Sequence, residues 1–342
     1  MILSDDRYSR QIRFFGIGQE GQRQLACKHV LLIGAGALGS GNAEALARAG
    51  VGQISIVDRD YVELSNLNRQ LLYSENDAEL RMPKAIAAHK RLREINSDVT
   101  VHPHVLDATP FELKKLAENI DLIIDATDNF ETRLAINDIS QMYRIPWIYG
   151  ACAGSYGISF TFLPGATPCL SCLLDSVPLS GATCDAAGII SPAVQMVVAH
   201  QSVEALKLLT GNRSALRSTL LTFDLWRNQH FEMDVTVSKK ADCPSCGAHA
   251  SYPYLSREYQ TKTAVLCGRN TVQLRPAKRM ERNLDELARH LSALDGNVEC
   301  NPFLVSFSEK DHRMVFFKDG RVLVHGTSDI AEAKSLYHRL LG

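Results

Sequence analysis

The 342-residue chain contains no apolar run that approaches the roughly 20 residues of a membrane-spanning helix. Its first residues, MILSDDRYSRQIRFF, lack the basic region followed by an apolar stretch that is typical of a secretory leader. The sequence therefore predicts a cytoplasmic protein without a membrane partner.

An excess of charge of one sign is also missing. Lys and Arg together number 37, and Asp and Glu together number 38. A chain with no excess positive charge has no general attraction for nucleic acid, so we expect no nucleic-acid partner. Internal repeats and low-complexity segments are absent as well, while a hydrophobic content of 45% is enough for a substantial core. We therefore expect globular domains that recognise their partners locally.

The first half of the chain contains a regular alternation of apolar strands and helices. A strand, a glycine turn, a helix and a second strand follow one another in HVLLI, GAGALG, SGNAEALARAG and QISIVD. The alternation continues as far as PWIYGAC. This alternation predicts an α/β fold with a Rossmann-like, largely parallel sheet and helices on both faces.

The rest of the chain changes in character. From residue 159 to residue 184 the sequence has short strands with Pro, Gly and Cys, which predicts an extension of the first domain. We place the first domain at residues 1–250 and a small C-terminal α+β domain at residues 257–342. Within the second domain, RMVFFKDGRVLVHG predicts a hairpin that turns at Asp319 and Gly320.

The glycine turn is a candidate phosphate-binding loop. Gly34, Gly36 and Gly39 permit a tight turn, close approach of a phosphate to the backbone, and close packing of the following helix. The amino terminus of that helix adds a partial positive charge. Asp58 ends the next strand, where a carboxylate can accept hydrogen bonds from ribose hydroxyls. Together these features predict a nucleotide site, against the alternative of a simple tight turn.

Charged residues beyond the loop favour a triphosphate over a dinucleotide. The loop alone can largely satisfy the pyrophosphate of NAD, whereas ATP carries more negative charge and calls for further cations. Arg69 and Lys84 are candidates for these cations, and Asp128 in DATDN is a candidate ligand for Mg²⁺. Structural alternatives remain, because surface cations are often only solvated and Asp128 could instead cap the helix that begins near Asn129.

Four of the nine cysteines form two CxxC pairs. Cys169 and Cys172 lie in PCLSC, and Cys243 and Cys246 lie in CPSC. Each pair can offer two thiolates to one tetrahedral Zn²⁺, and four cysteines with no open position indicate a structural metal. The loop-rich context favours zinc over the alternative of a redox-active pair.

Several motifs follow one another along the chain: RYSRQI, GAGALGS, DRDYVELSNLNRQ, MPK, DATDN and the CxxC pairs. In this order they resemble the ThiF/MoeB (HesA) family of ubiquitin-activating-type adenylyltransferases, over about residues 5–250. The tail from CGRNTVQLRP to KDGRVLVHGT is similar to the extension of bacillus-type ThiF proteins. The resemblance implies that residues 1–250 use ATP and Mg²⁺ to adenylate the C-terminal glycine of a small ubiquitin-like sulfur carrier, with release of pyrophosphate, before thiocarboxylate formation. It also implies the four-cysteine zinc site.

The same resemblance implies roles for individual residues. Arg10, in RYSRQ, would reach the triphosphate from the other subunit of a homodimer. Asp58 would bind the ribose, and Asp128 would bind Mg²⁺. The phosphates would be bound by Asn66, Arg69 and Lys84, with Asp60 also among the nucleotide-binding residues.

Cys184 stands alone in the small-residue stretch SGATCDAAG, where a loop can expose a thiol. A thiolate or persulfide is a competent nucleophile toward an acyl adenylate. The resemblance associates this position with covalent sulfur transfer, so we predict a catalytic Cys184, against the alternative of a small buried side chain. The sulfur donor would be a separate cysteine desulfurase or rhodanese. The remaining cysteines are predicted to be core residues, with sulfur relay as an alternative for Cys267: Cys27, Cys152, Cys267 and Cys300.

The favoured carrier is ThiS, which serves the thiazole of thiamin. A MoaD-like molybdopterin-synthase carrier is the first alternative, because the same site would serve both. An NAD-dependent dehydrogenase would need a second acid/base constellation for hydride transfer, and the sequence gives no pattern for one. A non-catalytic scaffold would be expected to lose the site residues, yet Asp58, Arg69, Lys84 and Asp128 are all present.

Overall fold

A computed structural model gives the structure of residues 7–174, 188–256, 263–266, 270–275 and 280–341. These residues divide into two units, one reaching to residue 256 and the other beginning at residue 263. Each unit has its own sheet and its own hydrophobic core.

The first unit is built on an eight-stranded sheet. Its strands are β1 His29–Ile33, β2 Gln53–Asp58, β3 Thr100–Val105, β4 Leu122–Asp125, β5 Trp147–Ala153, β6 Tyr156–Phe162, β7 Leu220–Asp224 and β8 Gln229–Met233. The first five are parallel, in the order β3-β2-β1-β4-β5. β6, β7 and β8 continue the same sheet antiparallel.

The position of each strand explains its composition. β1 and β4 lie inside the sheet and are almost wholly buried, as the continuous apolar runs HVLLI and LIID require. The chain order reverses at β1, which has β2 on one side and β4 on the other. The carboxyl ends of these three strands therefore form the edge where ligands bind in open α/β sheets.

Helices cover both faces of this sheet. The helices of the first unit are α1 Ser9–Ile12, α2 Gly18–Ala26, α3 Ala37–Ala49, α4 Glu75–Glu79, α5 Lys84–Ile95, α6 Pro110–Leu116, α7 Phe130–Tyr143, α8 Leu170–Leu174 and α9 Ser191–Leu209. Side chains of α6 and α7 share one core with the strands, and side chains of α3 and α9 share another. The predicted α/β fold, with helices on both faces of a mainly parallel sheet, is confirmed. The antiparallel continuation beyond β5 was not part of the prediction.

The second unit is an antiparallel sheet with two helices. Its strands are β9 Thr263–Leu266, β10 Thr271–Leu274, β11 Asn297–Asn301, β12 Leu304–Glu309, β13 His312–Phe317 and β14 Val322–His325, in the order β11-β12-β13-β14-β10-β9. Helices α10 Leu284–Leu291 and α11 Ile330–Leu341 pack with it in one core. The predicted hairpin is β13 with β14, and Gly320 in its turn has φ +87°.

The expectation that Cys27, Cys152, Cys267 and Cys300, which lie outside the CxxC pairs, are core residues is only partly correct. Cys152 is buried, but Cys27 and Cys300 are exposed. Cys27 follows the last residue of α2, and Cys300 lies on the edge strand β11, so packing covers neither side chain. Cys267 lies outside the described residues. Within the described ranges, no helix combines the length and the apolar content that a membrane crossing requires.

Candidate functional site

The glycine loop joins β1 to α3 at the carboxyl edge of the sheet. Gly34 has φ +95°, a left-handed conformation that favours glycine. A Cβ on Gly39 would collide with the carbonyl oxygen of Gly34, so only glycine lets α3 start this close to the loop. Gly36 precedes the first residue of α3 and makes no side-chain cap. The first turn of α3 can therefore offer its N–H groups to an anion.

Asp58, at the end of β2, is bonded to the glycine loop. Its Oδ2 accepts the N–H of Ala35 at 2.6 Å, and its Oδ1 accepts the N–H of Asp60 at 2.6 Å. Burial raises the pKa of Asp58, while the nearby charge of Lys84 acts in the opposite direction. The structure thus gives Asp58 a loop-holding role beside the ribose-binding role predicted for it.

Lys84 lies next to the same acids. It is the first residue of α5, only 3% exposed, and its Nζ is 3.5 Å from Oδ2 of Asp60. Its backbone N–H donates to the carbonyl of Asp60 at 2.9 Å. The hydroxyl of Tyr73 donates to the carbonyl of Ala35 at 2.6 Å and lies 3.4 Å from the carbonyl of Lys84. Tyr73, which the sequence analysis did not single out, therefore joins the glycine loop to the start of α5.

The stretch around Asn66 and Arg69 forms a compact turn beside the loop. Asn66 is buried, and its Oδ1 accepts the N–H of Glu63 at 3.2 Å. Arg69 is half-buried, and its Nη1 donates to the carbonyl of Ser65 at 2.8 Å and to Asn68. This guanidinium has only neutral acceptors among those contacts, so it can turn toward an anion at small cost.

Gln70 is a site residue that sequence reasoning missed. It is 3% exposed, and its amide nitrogen would be the nearest neighbour, at 3.9 Å, of a side chain built on Gly36. Its Oε1 is buried and has no hydrogen-bond partner among the described residues. A buried amide oxygen without a partner costs about 1–3 kcal/mol unless a ligand or water completes it. Its position directly after Arg69 was the only signal in the sequence.

Asp128 follows β4, the neighbour of β1. It is exposed, and the amide of Asn129 donates to its Oδ1 at 3.3 Å. The cap of α7 is Asn129, whose side chain accepts the N–H of Thr132 at 2.9 Å. The alternative that Asp128 caps this helix is therefore wrong, because the neighbouring residue occupies that position. The carboxylate of Asp128 remains available at the edge of the sheet.

An ion pair beneath this loop fixes its course. Asp125 is fully buried at the end of β4, and Nε of Arg133 donates to its Oδ2 at 3.0 Å. Arg133 Nη2 also donates to the carbonyl of Thr127 at 2.6 Å, and Thr127 donates to Oδ1 of Asp125 through both its N–H and its hydroxyl. Burial raises the pKa of Asp125, and the charge of Arg133 pulls it back down. The pair holds the backbone immediately before Asp128.

Arg59 links the acids of the two strand ends electrostatically. Its Nη1 is 3.3 Å from Oδ1 of Asp107. Burial lowers the pKa of Arg59, but the charges of Asp107, Asp60 and Asp128 outweigh burial and raise it. One guanidinium thus senses both Asp60, beyond β2, and Asp128, beyond β4. The acids that follow β2 and β4 therefore lie within electrostatic reach of one guanidinium.

Arg10 is the one described residue of the predicted nucleotide site that lies elsewhere. It is exposed on α1, and its neighbour Gln11 donates to the carbonyl of Ala49, at the last turn of α3, at 2.8 Å. The glycine loop is at the opposite end of this 13-residue helix, about 20 Å away at 1.5 Å per residue. Arg10 therefore does not reach the glycine loop of its own chain. Cys184, the predicted nucleophile, lies outside the described residues.

The two CxxC pairs meet in one cluster. The Sγ atoms of Cys169, Cys172, Cys243 and Cys246 all lie within 4.8 Å of one another. Cys169 is 3.8 Å from Cys172 and 3.6 Å from Cys243, and Cys172 is 3.6 Å from Cys246. A tetrahedron with Zn–S bonds of about 2.3 Å has S···S edges of about 3.8 Å. The spacing fits one zinc ion and is too long for disulfide bonds.

The chemistry of the cluster also fits a cation. Burial raises the pKa of Cys169 far above its usual value and raises that of Cys246 to about 12. Burial also acts to raise the pKa of Cys243, but hydrogen bonds with backbone N–H groups and with neighbouring thiols together outweigh it and lower that pKa. Buried thiols keep their protons until a divalent cation compensates the negative charge of the thiolates that bind it. The cluster would hold zinc as a closed, structural centre, because all four positions come from the protein.

Comparison with known proteins gives a family and several relatives. The ThiF family model matches residues 8–245. The sulfur carrier protein ThiS adenylyltransferase of Bacillus subtilis (strain 168) is 53% identical over 336 residues, which are 98% of this chain and 99% of the relative. The sulfur carrier protein adenylyltransferase of Thermus thermophilus is 36% identical over 249 residues, 71% of this chain and 90% of the relative. The solved structure of E. coli MccB is similar in fold, with a TM-score of 0.62 and 21% identity over 72% of this chain and 73% of that one.

Proposed function

The chain belongs to the ThiF family, and we propose on that basis that it is an ATP-dependent adenylyltransferase acting on the C-terminal glycine of a ThiS-type sulfur carrier. The observation that carries the proposal is the 53% identity to a ThiS adenylyltransferase over 98% of the chain, which extends through the second unit. The similarity to the Thermus relative covers 71% of the chain. The named activities of both relatives favour ATP over NAD and an enzyme over a scaffold.

The reaction needs positioning more than acid or base catalysis. The carrier's terminal carboxylate is already ionised at neutral pH. One of its oxygens attacks the α-phosphorus of ATP, the bond from that phosphorus to the α,β-bridging oxygen breaks, and pyrophosphate leaves with the bond's electron pair. No proton has to be removed. The protein's task is to align the two anions and to compensate their charge.

The site contains groups suited to that task. The free N–H groups at the start of α3 would bind phosphate oxygens, and Lys84 and Arg69 would compensate their charge. Asp58 would accept from the ribose, beside the loop that it holds. Asp128 would hold Mg²⁺, whose charge would draw electron density from the phosphates.

A second copy of the chain would complete the site. Arg10 is exposed and far from the glycine loop of its own chain, so it can serve this chemistry only in the site of a partner. We therefore include a homodimer in the proposal, with Arg10 of each copy reaching the triphosphate bound by the other. Such an exchange would be reciprocal, as a two-fold symmetric contact requires.

Sulfur transfer would follow adenylation. A persulfide on Cys184, loaded by a separate cysteine desulfurase or rhodanese, would attack the acyl carbon of the adenylate. A carbon–sulfur bond forms, the bond to the phosphate oxygen breaks, and AMP leaves. The carrier is then joined to Cys184 through an acyl disulfide.

Carrier-dependent exchange of labelled pyrophosphate into ATP tests the proposal. Purified protein should catalyse exchange with a ThiS-type carrier and much less with a MoaD-type carrier. Asp128→Ala should abolish exchange without lowering the melting temperature, because Asp128 is exposed. Asp98→Ala is the matched control. Asp98 pairs with Arg7 at 3.8 Å and precedes β3, so it lies at the amino ends of the parallel strands, opposite the glycine loop.

Cys184→Ser separates the two steps in the same assay. It should leave exchange near the wild-type rate and eliminate the thiol-reducible adduct between enzyme and carrier, because a hydroxyl cannot replace a thiolate at neutral pH. Exchange with neither carrier would overturn the adenylyltransferase proposal. A persisting adduct in Cys184→Ser would assign the sulfur to another cysteine.

A further inference from the structure

Two buried polar side chains of α7 contact both CxxC segments. Asn137 and Asp138 are each 0% exposed, an unusual place for adjacent amide and carboxylate groups. Neither is a ligand of the cysteine cluster. Buried polar groups are retained where their hydrogen bonds position something else.

Asn137 bonds to the first CxxC segment. Its Oδ1 accepts the N–H of Leu170 at 2.8 Å, and its Nδ2 is 3.5 Å from the hydroxyl of Ser171. Leu170 and Ser171 are the two residues between Cys169 and Cys172. The amide therefore fixes the turn that sets the distance between these two sulfurs.

Asp138 bonds to the second CxxC segment and to the chain that follows it. The hydroxyl of Ser245, between Cys243 and Cys246, donates to its carboxylate. The N–H of Tyr254 donates to its Oδ2 at 2.9 Å. The hydroxyls of Ser171 and Ser245 are 3.0 Å apart, so the two segments are also bonded directly to each other.

We propose that Asn137 and Asp138 are positioning residues that hold the two CxxC segments in register for a metal ion. Seventy residues lie between Cys172 and Cys243, so two distant segments must bring four sulfurs together on one ion. Hydrogen bonds that align them beforehand remove the ordering cost from metal binding. Partners of this kind typically change metal affinity by about 10–100-fold.

The rate of zinc release tests the proposal without carrier or nucleotide, so its outcome is independent of the proposed function. Zinc-loaded full-length protein is mixed with a chromophoric chelator, and release is followed by absorbance. Asp138→Leu keeps the branched shape and the number of side-chain heavy atoms but removes both acceptor oxygens, so the Ser245 hydroxyl and the Tyr254 N–H lose their hydrogen bonds to residue 138. We expect release at least about 10-fold faster than from the wild type.

Asp138→Asn distinguishes hydrogen bonding from packing. Its amide oxygen can still accept from Tyr254, and the Ser245 hydroxyl can accept from its NH₂ group, so release should stay close to the wild-type rate. Asn42→Leu is the control for general destabilisation. Asn42 is 0% exposed in α3, and its amide donates to Gln201 at 2.8 Å, so the variant also loses a buried hydrogen bond.

Three results would overturn the proposal: release from Asp138→Leu at the wild-type rate, equally fast release from Asn42→Leu, or a wild-type chain that retains no zinc. Ser245→Ala removes one hydroxyl only and serves if Asp138→Leu does not fold. It should accelerate release, by less than Asp138→Leu does. An unchanged rate in folded Ser245→Ala would contradict the proposal in the same way.

Discussion

Removal of Arg133 should destabilise the first unit and loosen the loop that carries Asp128. Its guanidinium is buried, with Nε 3.0 Å from Oδ2 of Asp125 and Nη2 2.6 Å from the carbonyl of Thr127. Asp125 is 0% exposed. Arg133→Met keeps much of the aliphatic volume but leaves this buried carboxylate without its cation.

The expected loss is large because burial and charge act together. Removing one partner of a buried ion pair typically costs about 3–5 kcal/mol, since the remaining charge is neither hydrated nor paired. The double variant Asp125→Asn/Arg133→Met removes both charges, and its asparagine can still accept from Thr127. We therefore expect the double variant to be more stable than Arg133→Met alone.

Urea unfolding followed by tryptophan fluorescence measures this loss in the first unit. The chain has two tryptophans, Trp147 and Trp226, and both belong to that unit. Arg227→Met is the control, because Arg227 is 74% exposed and lies 3.7 Å from Asp224, so it should lose less than about 1 kcal/mol. A loss in Arg133→Met no larger than that of the control would refute the reasoning.

The loss should also depend on pH. Burial already raises the pKa of Asp125, and Arg133→Met removes the positive charge that lowers it. The carboxyl of the folded variant therefore holds its proton to a higher pH than the same carboxyl does in the unfolded chain. A carboxyl whose folded pKa is raised contributes stability at low pH and loses it as pH rises. The difference in unfolding free energy between wild type and Arg133→Met should therefore be smaller at pH 5 than at pH 8.

Three further outcomes are expected. Metal analysis should find about one zinc per chain, and Cys246→Ser should lower that content. Burial, reinforced by a neighbouring histidine, lowers the pKa of His29 and His104. Their contribution to stability should be complete above their unfolded pKa of about 6.5 and decline below it, and urea midpoints from pH 7.5 to 5.5 in wild type and His29→Gln would show this. Mixing Arg10→Ala with Asp128→Ala, each inactive alone, should restore about a quarter of the wild-type exchange activity, because half of randomly mixed dimers have one intact site. No restoration would place Arg10 outside the partner's site.

Local chemistry explains what the sequence predicted correctly. The glycines of the loop, the apolar strands around them and the CxxC spacing are constraints within a few residues, and each permits few backbone conformations. The parallel half of the sheet and the convergence of four cysteines could therefore be inferred before any contact was known. The proposed roles of Asp58, Lys84 and Asp128 came from motif positions, and the structure places all three at one edge of the sheet.

Choices between neighbouring residues required the tertiary structure. Asn129 rather than Asp128 caps α7, and no rule of spacing separates two adjacent residues that both cap well. The burial of Gln70 against Gly36, the ion pair of Asp125 with Arg133, and the exposure of Cys27 depend on which distant segments pack together. A hydrogen bond between residues close in sequence is limited by backbone geometry, whereas a contact between distant segments exists only once the whole core has packed, and so only the folded structure decides it.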